Sequence, residues 1–256
     1  MSTELRYEVS GSIAEIILER GAVNALSVEF LEAILAAFRR AAADDAVRAV
    51  ILRSALDQRF SAGLDLDILI GKSGMEVRRF LERLYVGLAE VQHAMGKPTI
   101  AAVNGAARGG GMTLAISCDV LLAADTATFG YPEIELGLLP AIHFAHLPRI
   151  IGRHRAFELL FSGRSFAAEE AARLGLVSRV VPKPSLLDEA RRLAADFAAK
   201  PPLAMRLGRA AFMRANDLDY RRSIANAVED FCNVATTDEA QQGLRAFVGK
   251  RAAARK

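Results

Sequence analysis

Two features of this chain have residue types and spacing suited to chemistry: Glu133, and the run of three glycines Gly109-Gly110-Gly111. Glu133 follows a proline and is flanked by Tyr131 and Ile134. A carboxylate in apolar surroundings has its neutral form favoured, so its pKa moves toward the range useful for proton transfer at pH 7. The glycines follow an apolar, strand-like run, Thr99-Ile100-Ala101-Ala102-Val103, that ends at Asn104-Gly105, and a helix-like segment begins behind them at Met112. Glycine lets the backbone come close to a ligand, and a helix start presents unpaired N–H groups on its positive end. That is the construction of a site for developing negative charge.

Each feature alone has a plainer reading. Strand, glycine run and helix also outline a phosphate loop, and a Pro-Glu pair is most often a solvated turn. Together, in this order and spacing, they resemble the crotonase (enoyl-CoA hydratase/isomerase) superfamily. Arg59-Phe60-Ser61-Ala62-Gly63-Leu64-Asp65-Leu66 is similar to the family's first oxyanion-hole loop, and Val23-Asn24-Ala25-Leu26 to its Asn-Ala-Leu turn. The resemblance continues through Gly163–Ala171 and Gly175-Leu176-Val177 to Ala246–Arg251, nearly the whole chain.

The resemblance implies an α/β fold: a ββα spiral core over residues 1–200 carrying a CoA-thioester site, and a C-terminal helical trimerisation region over 201–256. It implies an acyl-CoA thioester as substrate, with coenzyme A entering only as part of it, no other cofactor and no metal. Proton removal beside the thioester carbonyl gives an enolate, held by two backbone N–H donors; by motif match these are Ala62 and Gly110. Val23 and Ala25 are expected along the pantetheine, with Gly63, Leu64 and Asp65 as further contacts. Phe247 and Lys250 are expected to reach the ligand of a neighbouring protomer in a homotrimer or dimer of trimers.

Two departures bear on the reaction. Hydratases of the family divide the elements of water between two glutamates, and the first of those positions is Thr113 here. Threonine does not exchange protons near pH 7. One carboxylate, Glu133, is enough to carry a proton from C2 to C4 of an enoyl chain, so isomerisation is favoured over hydration. After Pro140, Ala141-Ile142-His143-Phe144-Ala145-His146 replaces the family's glycine-rich run and is expected to narrow or reshape the acyl pocket. His143 or His146 could replace the missing acid/base group, although packing is the commoner fate of a histidine in an apolar segment. Hydration through a substitute group, acyl-CoA hydrolysis or lysis, and a non-catalytic CoA- or RNA-binding role are the rival readings.

The elements that must hold these groups are legible as patterns. Ile13–Leu18, Arg48–Arg53, Val120–Ala124 and Val177–Val181 read as strands. Phe30, Leu31, Ile34, Leu35 and Phe38 keep a helical stripe behind Ser27, and Val77 to Met95 forms another behind a Ser73/Glu76 capping box. Beyond Ser185 the pattern is helical throughout: Leu186–Ala199, Leu203–Ala215, Leu218–Ala235 and Glu239–Lys250, with Pro201-Pro202 as a boundary. At 256 residues with 52% hydrophobic content the chain can bury a large core. A net charge of +3 suits an anionic small ligand, and only Lys250–Lys256 is locally basic. No aromatic-plus-basic motif points to nucleic acid. No stretch has the length of a membrane span, and Met1–Gly11 lacks a signal-peptide core, so a cytoplasmic location is expected. Cys118 and Cys232 read as buried thiols.

Overall fold

The structure, a computed structural model, describes residues 4–217 and 219–253. Strand β1 (Leu5–Ser10) turns through Gly11 and pairs antiparallel with β2 (Ile13–Leu18). The sequence pattern predicts no element at that first strand. Helix α1 (Val28–Ala43) starts at Ser27, whose side chain accepts a hydrogen bond from the Phe30 N–H, and it buries the predicted stripe. Strand β3 (Ala49–Ser54) then pairs parallel with β2, and a short strand, β4 (Arg59–Ser61), leaves that sheet to found a second one.

The stripe from Val77 to Met95 forms two helices rather than one. Helix α2 (Gly74–Leu81) opens on the expected capping box, in which Ser73 and Glu76 cap each other's backbone. A π-helical turn at Glu82–Gly87 follows, and α3 (Leu88–Ala94) completes the run. The wide turn buries Leu84 and Tyr85, and such turns inside a helix often occur at functional sites.

Two further circuits repeat the order strand, strand, helix. Strands β5 (Thr99–Val103) and β6 (Ala106–Arg108) precede α4 (Gly110–Ile116), and β7 (Val120–Ala124) and β8 (Thr128–Gly130) precede α5 (Ala141–Ile151). Helix α6 (Arg153–Ser162), β9 (Ser165–Ala167), α7 (Ala168–Arg173) and β10 (Arg179–Val181) close the core. The larger sheet has the order β1-β2-β3-β5-β7-β10 and is parallel from β2 onward; the smaller has the order β4-β6-β8-β9. Every residue of β5 is buried, as a parallel strand covered on both faces requires.

Helix α8 (Leu186–Ala198) lies against the larger sheet, and α9 (Pro202–Asn216), α10 (Tyr220–Ala235) and α11 (Asp238–Ala253) follow. Leu218, where the sequence pattern starts the third of these helices, lies outside the described residues, as do Met1–Thr3 and the last three residues of the basic tail. Helix α10 packs on α5 and α2 through Ile224, Ala227, Val228 and Phe231. Helix α9 is tied down differently: its single buried residue, Arg209, pairs with Asp119 at 2.8 Å, while Leu203, Leu207 and Phe212 are exposed. Both cysteines are buried and free. None of the described helices is long and apolar enough to cross a membrane.

Candidate active site

The smaller sheet places the chemistry. Strands β4, β6 and β8 run parallel side by side, so their carboxyl ends deliver three loops to one place: Ala62-Gly63-Leu64, Gly109-Gly110, and Tyr131-Pro132-Glu133. Ligands in parallel sheets bind beyond the carboxyl ends of strands for this reason. Arg108 fixes the register of two of the strands, because its guanidinium donates to Thr128 O at 2.7 Å and to Thr128 Oγ1 at 2.9 Å. The Gly109 N–H then donates to Gly130 O at 3.1 Å.

The sequence-based expectation for the first oxyanion donor needs correction. The Ala62 N–H donates to Val23 O at 2.9 Å and has no free hydrogen to offer a ligand. The available amide is two residues on. Leu26 and Leu64 form a parallel bridge in which the Leu26 N–H donates to Gly63 O and the Asp65 N–H to Leu26 O. That pattern engages the neighbours of Leu64 and turns the N–H of Leu64 itself the other way, where it has no partner among the described residues. Gly110 is the first residue of α4, so its N–H has no acceptor within the helix. The two amides are close: a Cβ built on Gly110 would lie 3.5 Å from Leu64 N, and one built on Gly63 would lie 3.1 Å from Gly110 N. Gly63 itself sits at φ +89, and a side chain there would meet Arg108 O at 2.7 Å.

Glu133 faces this pair across Gly109. The 3₁₀ turn Pro132–Leu136 holds it, with Glu133 O accepting from the Leu138 N–H at 2.9 Å. The residue as a whole is half-buried, but its carboxyl end is deep: Oε2 is buried and has no hydrogen-bond partner among the described residues. Burial raises its pKa to about 7. A Cβ on Gly109, which sits at φ +48, would lie 2.6 Å from Glu133 Oε1, so a glycine is required for the carboxyl group to lie where it does. Tyr131 and Tyr85 are buried nearby, and the phenol of each is raised by burial and by the Glu133 charge. Glu135 is exposed and packs by Gly163.

Thr113, one turn into α4, is buried, and its Oγ1 lies 3.4 Å from Nε2 of His143. His143 is buried against the Tyr131 ring, with centroids 4.5 Å apart. Burial lowers its pKa to about 3, and the Gly109 backbone offsets only part of that. His146 is lowered in the same way to about 4. Both imidazoles are therefore neutral at pH 7, and neither is a general acid there. Ile142 lines a cavity, whereas Phe144 stacks on Phe161 with ring centroids 5.6 Å apart.

Beyond Thr113 and Tyr85 opens a cavity of about 430 Å³, walled by α3, α4, α5 and the α9–α10 pair. Its stem is apolar: Leu84, Leu88, Ile116 and Ile142.

The remaining residues named from the sequence fall around these groups. Val23 and Ala25 are half-buried on the turn that Asn24 locks to β4: Asn24 Nδ2 donates to Phe60 O, and Ser61 Oγ donates to Asn24 O. Ala25 O accepts from Arg20 Nη1 at 2.7 Å. Asp65 pairs with Arg20 at 3.0 Å and caps the next 3₁₀ turn, a loop-ordering role. Phe247 and Lys250 lie on the exposed second half of α11, whose first half packs on the Pro132–Leu136 turn. Sequence reasoning missed Leu64 as a donor and Gly109 as the glycine under the carboxylate. The signal for both was the glycine preceding or following a strand end, which marks close approach of backbone.

A ββα spiral that gathers these loops is the crotonase fold, and solved structures of that fold superpose on the chain along most of its length. A probable enoyl-CoA hydratase from Mycobacterium smegmatis matches with a TM-score of 0.83 and 35% identity, over 90% of this chain and 94% of that one. The human mitochondrial delta3-delta2-enoyl-CoA isomerase matches with a TM-score of 0.87 and 26% identity, over 99% and 100%. The chain belongs to the enoyl-CoA hydratase/isomerase family, which it matches over residues 8–255. Among curated relatives, a crotonyl-CoA hydratase from Syntrophomonas wolfei subsp. wolfei is 37% identical over 233 residues, covering 91% of this chain and 89% of the relative.

Proposed function

We propose that the protein moves a proton between C2 and C4 of an enoyl-CoA thioester, with Glu133 as its single acid/base. The thioester oxygen sits between the Leu64 and Gly110 N–H groups, which strengthen as the enolate forms. Glu133 takes the proton from C2 as a carboxylate and returns it at C4 as the acid, so the group ends as it began. The observation that carries this reading is the buried Glu133 Oε2, without a partner among the described residues and with a pKa near 7, while the family's other carboxylate position is Thr113, backed by a neutral His143. Val23, Ala25 and Asp65 line the path of the coenzyme A portion.

The Thr113–His143 pair also favours a second reading, in which it holds a water for hydration, the activity in the name of the Syntrophomonas relative. Initial rates on a matched pair, a 3-enoyl-CoA and its 2-enoyl isomer, separate the two. Isomerisation is expected to exceed hydration, and Thr113→Glu is expected to raise hydration by about 10²-fold, the lower end of general acid–base contributions. Faster hydration than isomerisation in the unmodified protein sinks the isomerase reading and leaves the fold and Glu133 in place.

A homotrimer or dimer of trimers is part of the proposal. The exposed Leu203, Leu207 and Phe212 of α9 and Phe157 and Phe161 of α6 suit burial against further copies, with Phe247 and Lys250 reaching a neighbour's ligand. Sedimentation equilibrium is expected to give a mass three or six times that of the chain; a monomer at micromolar concentration removes this part.

A further inference from the structure

The cavity beyond Thr113 is not lined as a simple hydrocarbon needs. Past its apolar stem it carries polar atoms with no partner among the described residues. Gln92 is 2% exposed, and its side-chain oxygen is unsatisfied, as is Nδ1 of His146. A buried polar atom without a partner is costly unless something from outside satisfies it. At the open end stands Arg149. Ile142, His146 and Arg149 lie on one face of α5, and the helical rise separates Ile142 from Arg149 by about 10 Å.

Arg149 has no carboxylate within ion-pair distance among the described residues; its guanidinium lies over the Tyr220 ring at 5.4 Å. The other charges at this end are Arg221 and Asp217, which pair with each other at 2.8 Å, and His93, whose charged form burial disfavours. The mouth therefore carries one uncompensated positive charge, on a side chain whose planar fork matches a carboxylate.

We propose that this cavity takes an acyl chain that ends in a carboxylate, the carboxylate being held by Arg149 and the stem running past Leu84, Leu88, Ile116 and Ile142. The proposal rests on the CoA-thioester reading above and narrows its substrate class to ω-carboxyacyl thioesters. Water accompanying the carboxylate donates to Gln92 Oε1, an acceptor that the carboxylate itself cannot satisfy, and also reaches His146 Nδ1.

Calorimetric titration of the full chain with two saturated thioesters of equal length, octanoyl-CoA and suberyl-CoA, tests this without depending on turnover. Suberyl-CoA is expected to bind about tenfold more tightly, the usual contribution of a hydrogen bond to a charged group. In Arg149→Leu the ratio of the two affinities is expected to fall to about one, and in Arg149→Lys to stay between. Equal affinities in the unmodified protein, or a preference that survives Arg149→Leu, overturn the proposal while the CoA reading stands. If neither thioester binds, the CoA reading itself falls and this inference with it.

Discussion

Replacing Glu133 by glutamine is expected to lower kcat/KM by about 10³-fold, within the range for a positioned acid/base. Glutamine keeps the size and leaves the Gly109 contact in place but cannot accept the C2 proton. With the unmodified enzyme, kcat/KM is expected to fall about tenfold per pH unit below pH 7, because the free enzyme must hold Glu133 as the carboxylate and burial raises its pKa to about 7. The variant loses that limb. Stability runs the other way. The folded pKa lies above the ordinary 4.5, so below pH 4.5 both states are protonated and the buried carboxyl costs nothing extra. Between pH 4.5 and 7 the unfolded chain ionises first and the native state loses stability, reaching a deficit on the order of 3 kcal/mol above pH 7. Glu133→Gln should thus melt at a higher temperature than the parent at pH 8 and at a similar one at pH 4. A variant that retains turnover, or one less stable than the parent at pH 8, rules out Glu133 as the buried base.

How much of this was legible in the sequence depends on the range of the forces involved. Glu133, Gly110 and Thr113 were singled out because the glycine run and the Pro-Glu pair, in that order and spacing, resemble a family pattern. The long parallel strands were readable because burial on both faces leaves continuous apolar runs. The short strands β4, β6, β8 and β9 are each three residues long, too short for any period, and exist only because the circuits stack. The π-helical turn at Glu82–Gly87 was hidden for a similar reason: a helical stripe in the sequence fits an α-helix and one with a single wide turn about equally well. The choice between Ala62 and Leu64 was the hardest. It is set by the Leu26–Leu64 bridge and the Ala62–Val23 hydrogen bond, contacts across 38 and 39 residues that no local pattern encodes. The neutrality of His143 and His146 follows from burial against other elements: Tyr131 and Thr113 for His143, and Tyr220 for His146.

The second large effect concerns that choice, and a backbone change can isolate it. Replacing the amide before Leu64 by an ester removes one N–H and leaves every side chain unchanged. If Leu64 is an oxyanion donor, kcat should fall by about 10²–10³-fold, the loss measured when one such donor is removed elsewhere. The same ester before Ala62 removes only the hydrogen bond to Val23 O, so it should cost about 1 kcal/mol of stability and change kcat by less than tenfold. Gly63→Ala should act like the Leu64 ester by a different route. It asks an L-residue to adopt φ +89 with its Cβ 2.7 Å from Arg108 O, and relief of that clash moves Leu64 N away from Gly110 N. A large kcat effect at Ala62 with none at Leu64 would restore the motif-based assignment and require the Ala62–Val23 hydrogen bond to break when substrate binds. The opposite result fixes the oxyanion hole between two amides that a parallel bridge and a helix start leave without partners, and explains why glycine stands between Ala62 and Leu64.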